Sequence, residues 1–421
     1  MAQMYPFTED GVKIDTNRVA NYADRTGMKR TAALFCFLSL FLLSACGESE
    51  VRRLEREERF ALELGKLDDQ IDLFITDDGR GSARNRIYTR DGRIYLSNGN
   101  ASKVMEFSGY GDLLVLLYDP TANPRPILPT SDGGFPTTRR AVAHEFHDLG
   151  EIAVGDRRTV LVEDRLRENG EHDEEHGVQL RSRVLRFEAG RYVDYIGQEG
   201  VGGTPFPYIE TLELTENGDI VVVSRNALGR HVYWYSPEGE LRYEIPVRND
   251  QLPMPERDDL IPVLERIRPD LEERHLYLKL DYYEQVDGDG GQSDLGEVFS
   301  QVYVLDLDRE MYTEAIEIPR HTTTERPPPD FEPVEVNHLY RFIGVGPGGY
   351  LYFVSRDAEE SSELLIMDRN GQVNARRRIV LEDAPLVDYD MSVSPEGILV
   401  ALLGREDGAQ IVWWRTDRLI D

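Results

Sequence analysis

The stretch DGRIYLSNGNASKVMEFSGYGDLLVLLYDP, residues 91–120, decides how the chain folds. Gly92 opens a β-branched and aromatic run at Ile94, Tyr95 and Leu96, and Asn98-Gly99-Asn100 form a polar loop. Val104 to Phe107 make a second run, and Gly111 turns the chain into a third from Leu113 to Tyr118. Short apolar runs punctuated by Gly and Asn read as strands joined by turns. The same order of turn, strand, loop and strand returns in looser form at 150–197, 217–247, 274–319, 348–381 and 396–420. Six copies at this spacing predict an all-β fold, a six-bladed β-propeller over 70–421. A β-sandwich is the alternative, but it gives no reason for one unit to return so often. The last copy ends close to the C-terminus one strand short. Ile71, Leu73 and Ile75 alternate with other residues and are expected to supply that strand, which would pair the two chain ends and remove two exposed edges.

Outward from the repeats, residues 46–69 are dense in charge. Glu48 and Arg52, and Glu55 and Arg59, stand four apart, and Val51, Leu54, Ala61 and Leu64 recur at helical intervals. That pattern predicts a short helical spacer. Before it lies Met28-Lys29-Arg30, an apolar run from Thr31 to Leu42 too short to span a bilayer, and the small-residue sequence Leu43-Ser44-Ala45 followed by Cys46. This is the order of a lipoprotein signal peptide over 28–45, with Leu43, Ser44 and Ala45 as the signal peptidase recognition residues and Cys46 as the lipid attachment site. Residues 1–27 are polar and mixed in charge, so they are expected to be an upstream extension with Met28 as the translation start. A buried cytosolic helix over 31–45 is the competing reading, but a core helix should not be apolar on every face.

The repeat resembles the NHL-type propeller unit, in which a strand such as Ile94-Tyr95-Leu96 is followed by a small polar loop and a Val-x-x-Phe strand, here Val104 and Phe107. The stretch SNGNASKVMEFSGYGDLLVLLYDPTANP, coming soon after QIDLF, is also similar to a family of spirochaete-type bacterial lipoproteins carrying such repeats. The resemblance implies a cell-envelope location, held by lipid to the inner or outer membrane and facing the periplasm or the cell surface. It supplies no catalytic residue. NHL-type domains mostly bind proteins or other ligands, and a few are metal-dependent lyases or hydrolases. Trp-Asp repeat signatures are absent, and the three tryptophans, Trp234, Trp413 and Trp414, are too few for regular aromatic boxes.

Composition narrows the partners. The formal net charge is −30, whereas nucleic-acid binding needs a basic footprint and anionic lipid would repel such a body. Membrane attachment must then rest on acyl chains at Cys46, each buried methylene contributing about 0.8 kcal/mol. Of the two cysteines, Cys36 lies inside the leader, so cleavage leaves Cys46 alone and no internal disulfide.

Three insertions break the repeat: Pro120 to Arg140, Gln251 to Arg274 with an expected helix from about Arg257 to Ile267, and His321 to Val334 with Pro327-Pro328-Pro329. Long loops gather at a propeller rim, where binding specificity can vary while strands hold the ring. His172-Asp173-Glu174-Glu175-His176 matches the letters of the H-x-x-E-H zinc motif, which needs a helix, but its flanks place it in a polar hairpin loop. Asp287-Gly288-Asp289 matches the opening of a calcium loop, but its twelfth position is Val298 rather than Glu. His172, His176, Asp287 and Asp289 are thus the metal candidates, with His144 and His147 as possible helpers, while the expectation is no resident zinc or calcium. There is no G-x-S-x-G elbow, no triad can be proposed from spacing, and Gly344 to Gly349 reads as a turn into the strand at Tyr350 to Val354. The expected function is a noncatalytic scaffold binding a protein or another ligand in the envelope. The alternative is a metal-dependent hydrolase or lyase using the central channel.

Overall fold

The computed structural model describes residues 51–73, 84–130, 139–166, 171–173, 178–257, 259–287, 293–313, 315–325, 333–356, 361–381 and 386–420. The leader, Leu43, Ser44, Ala45 and Cys46 lie outside them, as do His176, Asp289 and Pro327 to Pro329. Everything below concerns the body that begins at Val51.

Six antiparallel sheets stand around an axis, each starting with the strand that faces it. These inner strands are Asn85–Arg90, Leu149–Val154, Tyr208–Leu214, Ile261–Pro269, Arg341–Val345 and Asp388–Val393, in blades 1 to 6. Each touches the next in turn, and the last touches the first, so the ring is closed. Within a blade the following strands add outward in chain order, as in blade 1 with Arg93–Asn98, Lys103–Ser108 and Leu113–Tyr118. The six-bladed propeller expected from the repeats is the observed fold.

Six apolar clusters hold it, one for each seam between neighbouring blades. Ile94, Leu96, Met105 and Phe107 of blade 1 pack against Val400, Leu402 and Ile411 of blade 6. Tyr95 and Val104, one residue out of phase on the same strands, pack against Ile152, Val162 and Phe187 of blade 2. A blade in mid-ring therefore buries both faces, and its central strands read as continuous apolar runs such as Ile220 to Val223 and Leu399 to Leu403.

The ring is shut by Glu57–Leu62, which pairs antiparallel with Gly408–Trp414 as the outermost strand of blade 6. This corrects two expectations. The closing strand comes from the predicted helical spacer at 46–69, not from Ile71 to Ile75. Ile71 and Leu73 instead plug the seam between blades 6 and 1, with Ile71 making a single bridge to Leu64, and Ile75 is outside the described residues. The expected helix from Arg257 to Ile267 is likewise absent, since Ile261–Pro269 is the inner strand of blade 4. Both strands carry the same irregularity. A β-bulge lies between Glu58 and Phe60 and another between Leu264 and Arg266. Each extra residue resets the two-residue alternation, so Leu260, Leu264 and Ile267 all reach the same apolar cluster at what looks like helical spacing. Pro262 and Pro269 are tolerated there because an inner strand has a ladder partner on one side only.

Closure is reinforced across the seam. The Trp413 indole donates to Glu57 at 2.8 Å, and the Arg59 guanidinium lies 4.0 Å from the Trp413 ring centroid and donates to the Gly109 carbonyl of blade 1 at 2.6 Å. Phe60 packs on Phe107 at 5.1 Å between ring centroids. Gly111, at φ +93°, fits under Phe60 only because it has no side chain: a Cβ would come within 2.8 Å of the Phe60 Cβ. Gly111→Ala is therefore expected to cost about 2 kcal/mol from backbone strain plus clash. Phe60→Ala is expected to cost about 2 kcal/mol from lost packing. In the double variant the clash part of the Gly111 cost disappears, so denaturant unfolding should show the two losses to be less than additive.

Candidate functional site: the arginine-lined axial channel

Strand order sorts the connections between the two faces of the ring. Turns joining first to second and third to fourth strands share one face, and all are short, none exceeding five residues. The other face holds the links between second and third strands and between blades. The described parts of 119–148, 166–181, 249–260 and 319–340 belong to that face, so the long connections gather on one side of the ring, although Arg140–Ala143 runs along the outer strand of blade 1 and Ile261–Pro269 is itself an inner strand. Pro120 to Arg140 is anchored by Asp68, whose carboxylate accepts from the Ile127 and Leu128 amides at 2.9 Å each. In 319–340, His321–Glu325 pairs with Val334–His338 as a separate hairpin.

Because inner strands show one residue in two to the axis, their charged positions converge. Arg86 of blade 1, Glu151 of blade 2, Glu213 of blade 3, Arg266 and Arg268 of blade 4, Arg341 of blade 5, and Asp390 and Ser392 of blade 6 line a cavity of about 100 Å³. Arg86 donates to Glu151 at 2.9 Å and lies 3.7 Å from Asp390, while Arg268 donates to Glu213 at 2.6 Å. Asp390 also accepts from the Ile87 amide at 2.9 Å, and Asp388 accepts from Asn85 at 2.7 Å. Behind this layer, Glu163 is fully buried, accepting from Ser182 at 2.8 Å and from the Glu151 amide at 3.1 Å. At the loop-bearing mouth Tyr208 lies between two guanidiniums, with Arg84 at 4.4 Å and Arg225 at 4.9 Å from its ring centroid.

Burial sets the protonation chemistry here. It opposes the charge of Arg86, yet Glu151 and Asp390 outweigh it and hold that guanidinium above its ordinary pKa. It raises the Glu213 and Glu163 carboxyls against the pull of Arg268 and of Arg84. It pushes Asp390 up to about 6, beyond what Arg86 and the Ile87 amide can offset. Arg266 is held below its ordinary value by burial and then by the like charge of Arg268.

The metal candidates among the described residues stand on separate hairpins. His172 stands on a two-stranded hairpin, Glu171–Asp173 with Val178–Leu180, where its Nδ1 meets Gln179 at 2.9 Å. Asp287 closes the strand His275–Asp287 opposite Ser293. His144 is stacked among Phe146, Phe187 and Tyr192, and His147 is bound to Asp164 at 3.0 Å. Among the described residues no group of three or more His, Cys, Asp or Glu side chains is placed to hold a metal ion. In the channel guanidiniums stand beside the carboxylates, Arg86 by Glu151 and Asp390 and Arg268 by Glu213.

The fold does assemble one serine, histidine and glutamate set that spacing could not reveal. His321 Nδ1 meets Ser355 Oγ, His321 Nε2 lies 3.8 Å from Glu363, and the Tyr340 hydroxyl donates to Glu363. Ser355 is only 1% exposed, so its hydroxyl is sealed from any substrate and the set ties the 321–338 hairpin to blade 5. None of the channel residues was singled out by sequence. The available signal was charge at alternate positions, Arg266 with Arg268 and Asp388 with Asp390, on strands that the repeat pattern skipped.

No family model and no curated protein matches the chain. Among solved structures the chain is similar to a streptogramin B lyase, at 12% identity over 86% of this chain and 99% of that one, with a TM-score of 0.38. It is similar to the gluconolactonase XC5397 from Xanthomonas campestris, at 13% identity over 85% and 99%, with a TM-score of 0.39. It is also similar to the β-propeller domain of the Trilobed protease from Pyrococcus furiosus, at 11% identity over 79% and 95%, with a TM-score of 0.36. Identities this low concern the fold alone.

Asp390 gives the channel a measurable pH signature. Its carboxyl goes from an ordinary 3.8 to about 6 on folding, so between those values the folded chain binds more protons than the unfolded one. Its contribution to stability is complete below the unfolded pKa and is lost as pH rises through 6. Above pH 6 the buried carboxylate costs about 3 kcal/mol relative to the unfolded chain. Asp390→Asn removes this dependence, so the stability difference between variant and wild type should grow in the variant's favour from pH 4 to 7 in denaturant titrations.

Proposed function

We propose that the chain is a lipid-anchored envelope protein whose propeller binds a protein or another ligand without transforming it. The observation that supports this most directly is the asymmetry of the ring: tight turns occupy one face, and the described long connections belong to the other. A rigid ring with variable loops on one side has the layout of a recognition surface. Anchoring rests on Cys46 and the small residues before it. Partners are then met at the membrane surface rather than on nucleic acid, which a chain of charge −30 repels.

Anchoring and recognition are separable in one experiment. Cys46→Ala should abolish incorporation of a labelled fatty acid and move the protein to the soluble fraction after cell breakage, and unchanged membrane fractionation would exclude the lipid. A photo-crosslinker in place of Ile127, 84% exposed on a long connection, should yield a discrete, reproducible adduct in intact cells. The same group at Tyr110, 87% exposed on a tight turn, should not. Equal capture from both positions would refute a loop-face recognition surface.

A further inference from the structure

The axial cavity holds more positive charge than its own carboxylates neutralise. Arg86, Arg266, Arg268 and Arg341 face Glu151, Glu213 and Asp390, an excess of cations inside a chain whose formal charge is −30. Arg86 and Arg268 are matched by Glu151 and Glu213 at hydrogen-bond distance. Arg266 has its nearest carboxylate, Glu265, 3.9 Å away, and donates otherwise to the Glu210 carbonyl at 3.0 Å. Arg341 meets the Tyr389 hydroxyl at 3.0 Å, and no carboxylate among the described residues lies within ion-pair distance of it.

Three donors on residues that line this space lack an acceptor among the described residues: Nε of Arg266, Nε of Arg268 and Oγ of Ser392. Buried donors left unmade are costly, and a native protein normally satisfies them with protein, water or ligand. Guanidinium forks match the oxygens of carboxylate and phosphate groups, and Arg341 is exposed at the loop-bearing mouth, which gives an anion a way in.

We propose that the axial cavity is a binding site for one small oxyanionic group, a phosphate, sulfate or carboxylate, held by Arg266, Arg268, Arg341 and Ser392. This deepens the ligand-binding reading above and rests on it only in that the ligand carries such a group. The cavity of about 100 Å³ takes the head group and leaves the remainder of a larger ligand to the mouth, where Tyr208 and its two arginines lie. Burial and the neighbouring Arg268 already depress the Arg266 charge, and a bound anion would relieve both. The groups facing the site are Arg86, Glu151, Glu213, Arg266, Arg268, Arg341, Asp390 and the nearby Asp388. Protonation of Asp390 removes competing negative charge, so affinity rises as pH falls through 6.

Isothermal titration of the folded protein with inorganic phosphate, sulfate and acetate at constant ionic strength, with glycerol as the neutral control, tests this. At least one anion should bind saturably at one to one, and glycerol should not. Arg266→Gln should weaken binding about tenfold, the loss of one charge-assisted contact, and Ser392→Ala about threefold. Arg341→Gln, at an exposed position that the fold does not need, should also weaken it about threefold. Sulfate, which does not titrate in this range, should bind more tightly at pH 5.5 than at 7.5, and Asp390→Asn should flatten that difference. Absence of saturable binding by every anion, affinity unchanged in all three weakening variants, or a crystal soaked in phosphate with only water in the cavity would overturn the proposal. Anion binding without a loop-face adduct would sink the recognition surface alone, and the adduct without anion binding would sink the channel site alone.

Discussion

The pairing of Glu57–Leu62 with Gly408–Trp414 is the constraint on which the rest depends. Each blade stabilises its neighbours by apolar burial on both faces, but that arrangement has no free end only if the first and last sheets meet. One strand contributed from the far end of the chain makes blade 6 whole, and it also reaches blade 1 through Arg59 and Phe60. With the ring closed, six inner strands are held side by side around an axis. Without it, no cavity is shared by blades 1 to 6 and the charged residues of the inner strands face open solvent.

Closure also explains why so much charge can be kept inside. The axial residues lie at the inner ends of the apolar seams, and ion pairs between blades, Arg86 with Glu151 and Asp390, join the packing there. Removing one partner of such a pair is costlier than the pair is worth, because it leaves the other charge stranded in a poorly solvated space. The channel balances its charges incompletely on the side of blades 4 and 5, and that imbalance, rather than its size, gives it chemical character. The acidic exterior and the cationic throat are separate properties, and net charge alone predicts only the first.

Much of the fold was legible in the chain. The second and third strands of the blades are turn-bounded apolar runs because both of their faces are buried, and Gly92 and Gly111 mark turns in blade 1. Apart from Leu149–Val154, which falls within the copy at 150–197, the inner strands were not legible, because their alternating charges look like solvent-facing segments when the axis they face is unknown. Blade 4 is the sharpest case: the bulge at Leu264 and Arg266 gives a strand the apolar spacing of a helix. The closing strand was hidden by the same device at Glu58 and Phe60. The histidine and aspartate motifs were conspicuous as letters, yet His172 and Asp287 stand on hairpins apart from one another, and position in the fold, not identity, decides ligation.

The amino-acid sequence alone determined the repeat, the number of blades and the all-β class, because these follow from local periodicity and turn chemistry spaced along the chain. Tertiary structure decided which strand closes the ring, which face gathers the long loops, and which charges meet in the channel. Those are relations among residues far apart in the chain, such as Arg86 with Asp390 and Glu57 with Trp413, and no local pattern encodes a distance that only closure of the ring brings about.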